Sequence, residues 1–330
     1  MSGAFASING KSRSRIAAFA KSDFSLLDFN PNASSTVNDI LESDGTLYAA
    51  GSFTLMGGQP RQRLAAVDAQ TGALTDLNVE VNSTVNVLEK SGDILYLGGS
   101  FTGIGASTRN RIGAIDVNTG MVTAFDPDAN STVNDLKIDG NLLWAGGSFS
   151  TINGQSISGV AALSAADGSA TGFDLDVVGQ VISVDIEENY VFLGGTFSTV
   201  NGQSASRLAL VDKITEDILF DFLPVMNTTV EEVLYNDGTL LVGGSFTSID
   251  GNTNQPYFAT WSIPPPGTVT FSTSLTSLND FNGFDVPCNG DELGGISIGV
   301  SGGVAPYTYT LSLEAGGVTR SGSINQASEL

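Results

Sequence analysis

Residues 94–101 read ILYLGGSF, and this stretch decides the fold because it recurs. The copies are TLYAAGSF at 46–53, LLWAGGSF at 142–149, YVFLGGTF at 190–197 and TLLVGGSF at 239–246. A shorter form, SGAF, opens the chain at 2–5, so that Phe5, Phe53, Phe101, Phe149, Phe197 and Phe246 follow one another at 48, 48, 48, 48 and 49 residues. A fixed period of this length marks one supersecondary unit copied in tandem.

Working outward from the phenylalanine, each copy shows the same parts. Ahead of it stands a short run: TVNDIL (36–41), TVNVLE (84–89), TVNDLK (132–137), QVISVD (180–185) or TVEEVL (229–234). A tight turn follows, as Asp44-Gly45, Asp139-Gly140 or Asp237-Gly238. Behind the phenylalanine come a second turn (Asn9-Gly10, Asn153-Gly154, Asn201-Gly202, Asp250-Gly251), a small apolar run and a last run carrying Phe29, Leu77, Phe125, Phe173 or Phe220. Asn-Gly and Asp-Gly favour type I′ hairpin turns, whose two central residues both need positive φ. Each unit therefore reads as four short antiparallel strands, in positions a, b, c and d. No segment carries a sustained 3.6-residue apolar pattern, so helices are not expected.

Four strands per copy and a period in the forties predict an all-β fold, a β-propeller of 48-residue blades. The ladder Tyr48, Tyr96, Trp144, Phe192, Leu241 reads as core between blades, with ligand stacking the lesser alternative. Blades are expected near 37–82, 85–130, 133–178, 181–227 and 230–272. A sixth is expected to combine residues 1–30 with a strand a from 276–281, where TSLNDF is like STVNDI, so that closure leaves no open edge. The propeller is thus read as six-bladed over 1–282, with further blades upstream the open alternative. After about residue 283 the period stops. Beyond the spacer Pro264-Pro265-Pro266-Gly267, alternation in ISIGV and YTYTL around a GGVAP turn predicts an antiparallel sandwich over 283–330.

Composition narrows the function. With 13 basic against 35 acidic residues, the formal net charge is −22. That opposes nucleic acid and anionic membrane surfaces, and permits cations or neutral polymers. No apolar run approaches the length of a membrane span. Histidine is absent, which removes Ser-His-Asp and Cys-His catalysis and the usual zinc and haem ligands. Cys288 is the single cysteine, so no internal disulfide forms.

Two resemblances complete the organisation. The G-G-[ST]-F endings over 1–281 resemble bacterial G-G-x-F propeller repeats and, more distantly, Kelch repeats. The tail, C-N-G-D-x-x-G-x-I-x-I-x-V-x-G-G-x-x-P-Y-x-Y over 286–313, resembles the SprB repeat, an Ig-like module of large surface adhesins in gliding Bacteroidetes. That resemblance implies a secreted or surface-anchored protein, often delivered by the type IX system, and a partial module within a longer multidomain chain. Family members commonly carry a second cysteine near the module's end; here Cys288 either lacks its partner through truncation or is free.

In a propeller the d–a and b–c loops share one face. The d–a loops place Asn30 and Asn32, Asn78 and Glu80, Asp126 and Asp128 with Asn130, and Asp174 and Asp176 on that rim. Carboxylates with side-chain amides are hard oxygen ligands and suit Ca²⁺, with Asp126, Asp128 and Asn130 the nearest to a set. The leading reading of the same residues is solvated turns capping backbone N–H groups, with calcium or direct ligand contact the lesser alternatives. The b–c loops add Gln59, Arg61, Gln155 and Gln203, polar groups suited to sugar hydroxyls or simply to hairpin tips. Arg15, Arg63, Arg111 and Arg207 open strand c at regular intervals and are each expected to pair with a carboxylate or carbonyl. Asp68, Asp116 and Asp212 are expected to cap D-x-x-T turns. No cluster breaks the repeat as an active site would. The leading reading is a non-catalytic binding or adhesion module that presents the d–a/b–c face to a polysaccharide, a surface or a protein partner. A carboxylate-based glycoside hydrolase or lyase, and a spacer without ligand, stand as alternatives.

Overall fold

The computed structural model describes residues 1–219, 224–253 and 256–263, and beyond them the backbone of four strands. Its described elements are all strands. Met1–Tyr235 with Leu241–Ala259 form one compact unit, and Asn236–Leu240 with Thr260–Leu330 belong to a second.

The first complete repeat pairs Val37–Ser43 with Thr46–Gly51 and Thr46–Gly51 with Leu64–Asp68, all antiparallel. An outer strand is reduced to a bridge between Val67 and Leu74. The order recurs through Val85–Ser91, Ile94–Gly99 and Ile112–Asp116, then Val133–Asp139, Leu142–Gly147 and Val160–Ser164. It recurs again through Val181–Glu187, Tyr190–Gly195 and Leu208–Asp212, and through Val230–Asn236, Thr239–Gly244 and Phe258–Ser262. The a–b turns at Asp44-Gly45 and Asp237-Gly238 have both residues at positive φ, as expected of type I′. At 139–140 the turn sits one residue later than expected: only Gly140 is left-handed, and Asp139 ends its strand.

The Gly-Gly pair is explained by what surrounds it. A Cβ on the second glycine would lie 2.2 Å from the Thr36 carbonyl oxygen at Gly51, and 2.3 Å from those of Thr84, Thr132 and Thr229 at Gly99, Gly147 and Gly244. Only glycine lets strand b pass the start of strand a. A Cβ on the first glycine would meet the next repeat instead: Val133 at 2.7 Å from Gly98, and Val184 at 2.6 Å from Gly146.

The core lies between repeats. One cluster joins Tyr48, Ala50, Leu64 and Ala66 of the first repeat to Leu88, Leu95, Leu97 and Phe101 of the second; the next joins Tyr96, Ala114 and Phe125 to Leu136, Leu143 and Phe149. One face of each sheet thus packs on the opposite face of its successor. Phe53, Phe101, Phe197 and Phe246 are fully buried, whereas Phe5 is half-buried. Of the aromatic ladder, Tyr48, Tyr96, Trp144 and Phe192 are buried and Leu241 is half-buried.

The N-terminal copy supplies the bridges Ser2 to Ile16 and Phe19 to Leu26 and a small hairpin, Ser7–Ile8 with Lys11–Ser12. The strand a expected from 276–281 is not seen there. Thr276 and Ser277 end the strand Thr270–Ser277, whose register runs on Gly294–Ser301, and 278–281 lie outside the described residues. The tail's alternating runs do form strands, with Tyr307–Ser312 paired to Thr319–Ile324. Phe220, the Pro-rich spacer, Cys288 and the GGVAP turn also lie outside the described residues.

Candidate functional site

The d–a segments run extended, and their side chains alternate between core and solvent. Phe29, Pro31 and Ala33 point inward, as do Phe125, Pro127 and Ala129, and Phe173, Leu175 and Val177. Between them Asn30, Asn32, Asn78, Glu80, Asp126, Asp128, Asn130, Asp174 and Asp176 are exposed. Each of these side chains thus lies on the exposed side of its own segment.

Part of that rim is occupied by structural bonds. Asn82, Asn130 and Asn227 clamp the start of the b–c loop in the repeat that follows. Asn130 accepts from the Ser150 and Thr151 amides at 2.9 and 3.2 Å and donates to Ser150 Oγ at 3.0 Å. Asn82 and Asn227 do the same to Thr102 and Gly103 and to Thr247 and Ser248. Asp126 pairs with Arg109 at 3.2 Å, Asp128 accepts from Asn110 Nδ2 at 2.7 Å, and Asn30 accepts from the Ser14 amide. Arg61 turns its guanidinium to the Pro60 and Thr75 carbonyls. Arg13 and Arg109 make the matching bonds to Leu27 and Thr123 O, a second arginine series that sequence reading missed. The side chains of Asn32, Asn78, Glu80, Asp174, Asp176, Gln59, Gln155 and Gln203 make no hydrogen bond among the described residues and face solvent. Among the described residues no group of three or more acidic, histidine or cysteine side chains gathers to hold a metal ion.

The other regular residues prove structural. Asp68, Asp116 and Asp212 each accept two backbone amides of their turns. The Thr71 hydroxyl and amide hold Asp68 below the usual carboxylate range. Arg15, Arg111 and Arg207 donate to the carbonyls of Phe5, Phe101 and Met226. Arg63 departs from the expectation: its buried Nη1 finds no hydrogen-bond partner among the described residues.

The inner strands carry a feature absent from the sequence reading. Each of the first three repeats has a bulge at the asparagine of T-V-N, between Val37 and Asp39, Val85 and Val87, and Val133 and Asp135. The bulge re-aims that side chain. Asn38, Asn86 and Asn134 then donate to the Val85, Val133 and Val181 carbonyls of the following repeat, at 2.9, 3.1 and 2.7 Å. Carboxylates answer from the same strands. Asp39 accepts from the Leu88 amide, Glu89 from Ile138, Asp135 from Val184 and Asp185 from Tyr235.

These carboxylates and Glu232 line an inner cavity of about 290 Å³ with one cation, Lys137, bonded to Asp185 at 3.0 Å. Burial, reinforced by Glu232 and Asp39 against the pull of the Val184 and Leu136 amides, pushes the Asp135 carboxyl up to about 7. Burial likewise raises Asp39, Glu89 and Glu232. Burial works against the Lys137 charge, but the bond and charge of Asp185 together with the Glu89 and Asp135 carboxylates outweigh it and raise that amine.

Against known proteins, the SprB repeat family matches residues 285–315, and a β-propeller family described as a domain of unknown function (DUF5122) matches 236–258. No curated protein matches the chain. Among solved structures, the computationally designed Ika8 protein is 17% identical, with 74% of this chain and 69% of that one covered at a TM-score of 0.47. The WD40 β-propeller domain of Doa1 is 14% identical, with 75% and 76% covered, and the Neurospora crassa Pan2 WD40 domain is 14% identical, with 69% and 66% covered; both score 0.47. At these scores the strand pairing above, not the likeness, carries the description of the fold. The chain is similar to β-propeller repeats in its tandem part and to the SprB repeat in its tail.

Proposed function

We propose that this chain is a non-catalytic binding module of a larger secreted or cell-surface protein, with its d–a/b–c rim turned to a polysaccharide, a surface or a protein partner. The observation that carries the reading is the SprB match at 285–315, because such repeats occur in cell-surface proteins of gliding bacteria. The rim supports it: four successive d–a segments display polar side chains at the same positions, which suits a broad, repetitive partner better than one reacting bond. Its acidic residues disfavour polyanions. Within this proposal the propeller has six blades and the tail is an Ig-like stalk module exported by a type IX route.

Calcium belongs to the proposal as a rim ligand. Asp126 and Asp128 would have to leave Arg109 and Asn110 to take it, and Asn130 the amides of Ser150 and Thr151. The test is binding of the chain to a polysaccharide and glycan array, with calcium and with chelator, beside the Asp126→Ala/Asp128→Ala variant. Binding that the double variant loses supports the rim. Binding that calcium, chelator and the double variant leave unchanged removes both calcium and that part of the rim; absence of binding shifts the reading to a spacer or a protein partner.

A further inference from the structure

The repeats act as controls for one another, and one seam departs from the rest. In the second repeat Tyr96 is buried, packs edge-on against Phe125 with ring centroids 5.2 Å apart, and donates its hydroxyl to the Ala165 carbonyl of the third repeat at 2.8 Å. One seam later Trp144 pairs with Phe173 in the same way, its buried Nε1 without a partner among the described residues, and Lys213, which stands where Ala165 stood, reaches Asp139 at 2.8 Å. At the first seam the equivalent residues are Tyr48 and Leu77 of the first repeat and Val117 of the second. Tyr48 is only 6% exposed, yet its hydroxyl bonds to no group among the described residues, the Val117 carbonyl included. Leu77 replaces the ring that Phe125 and Phe173 supply.

That hydroxyl lines a cleft of about 590 Å³ together with Thr46, Asp76, Asn78, Asn118 and Thr119. The cleft of the next seam, about 550 Å³, has Ala165 and Ala166 on the equivalent wall, and its tyrosine is already satisfied. We propose that the seam between the first and second complete repeats binds a neutral, hydroxyl-rich ligand, a saccharide ring, through Tyr48 and the amides of Asn78 and Asn118.

Three features select that class. The Tyr48 hydroxyl meets the cleft with no protein acceptor among the described residues, and a ligand hydroxyl placed between Tyr48 and the Val117 carbonyl would serve both. Burial and the nearby Asp44 and Asp93 raise the Tyr48 phenol, so it stays a donor. These aspartates and Asp76 repel anions. The site shares Asn78 with the rim of the proposed function but includes neither Asp126 nor Asp128.

The test is saturation-transfer NMR on the full chain with a panel of neutral mono- and disaccharides at millimolar concentration. Two variants borrow residues that other repeats already carry at these positions: Leu77→Phe, as at Phe125, and Tyr48→Phe, as at Phe192. Asn118→Ala trims a side chain on an exposed turn. The proposal expects transfer to at least one sugar, its loss in Leu77→Phe, and an affinity about fivefold weaker in Tyr48→Phe, the worth of one hydrogen bond. Asp126→Ala/Asp128→Ala should leave this transfer unchanged. Transfer to no sugar of the panel, transfer indifferent to both Leu77→Phe and Tyr48→Phe, or transfer abolished by the rim variant alone would each overturn it.

Discussion

The inner strands and the d–a rim are made from the same residues, asparagine and aspartate at 48-residue intervals, and use them in opposite ways. Inside, Asn38, Asn86 and Asn134 and the carboxylates of Asp39, Asp135 and Asp185 reach the backbone of the following repeat. On the rim, Asn82, Asn130 and Asn227 bond exposed b–c loops of the following repeat, while the side chains of Asn78, Glu80, Asp174 and Asp176 bond to nothing described and face water. Partly buried bonds between strands resist separation of neighbouring sheets, whereas exposed bonds between loops compete with water and add less. The inner set should therefore govern stability, and the exposed rim should be free to change with the partner.

The comparison is broken most severely where strand b passes strand a. Gly147→Ala would place a methyl 2.3 Å from the Thr132 carbonyl oxygen, with no flexible side chain to yield. A loss of about 4 kcal/mol or more is expected in denaturant melts. Protonation comes next. The Asp135 carboxyl titrates near 7 in the folded chain, above its unfolded value of 3.8. A raised acid favours folding while protonated, so its contribution is present below about pH 4 and falls as pH rises through 7. The chain should melt lower at pH 8 than at pH 5 by about 2 kcal/mol, discounted for partial exposure, and Asp135→Asn should shrink that difference. Asn134→Ala removes one clasp and leaves the Val181 carbonyl without its donor, for about 1–2 kcal/mol. Asn130→Ala loosens one b–c loop and should cost about 1 kcal/mol, whereas Asp174→Ala on the open rim should stay within about 0.5 kcal/mol.

Much of the architecture is legible in the chain because it rests on local rules. The Asn-Gly and Asp-Gly turns, the all-strand content and the 48-residue unit follow from backbone preference and spacing. The rim is legible too, since alternation along an extended segment exposes every second residue. The clasps are not. Asn38 and its acceptor Val85 are 47 residues apart, and the bulge that turns the side chain toward it has no composition of its own. Asp139-Gly140 looks like the other turns, yet pairing runs one residue further and moves the tight position to Gly140. Tyr48 and Tyr96 occupy matching positions in the sequence. Their difference lies in whether a carbonyl of the next repeat comes within reach, and that depends on packing across the seam.

The most direct measurement compares two melting temperatures: that of Asn38→Ala/Asn86→Ala/Asn134→Ala and that of Asn78→Ala/Glu80→Ala/Asp174→Ala/Asp176→Ala. If inner asparagines join the repeats and the rim is free for a partner, the triple variant melts at least about 5 °C below the parent chain and the quadruple variant within about 2 °C of it. A quadruple variant that melts as low as the triple one, or a triple variant indistinguishable from the parent, would contradict the account.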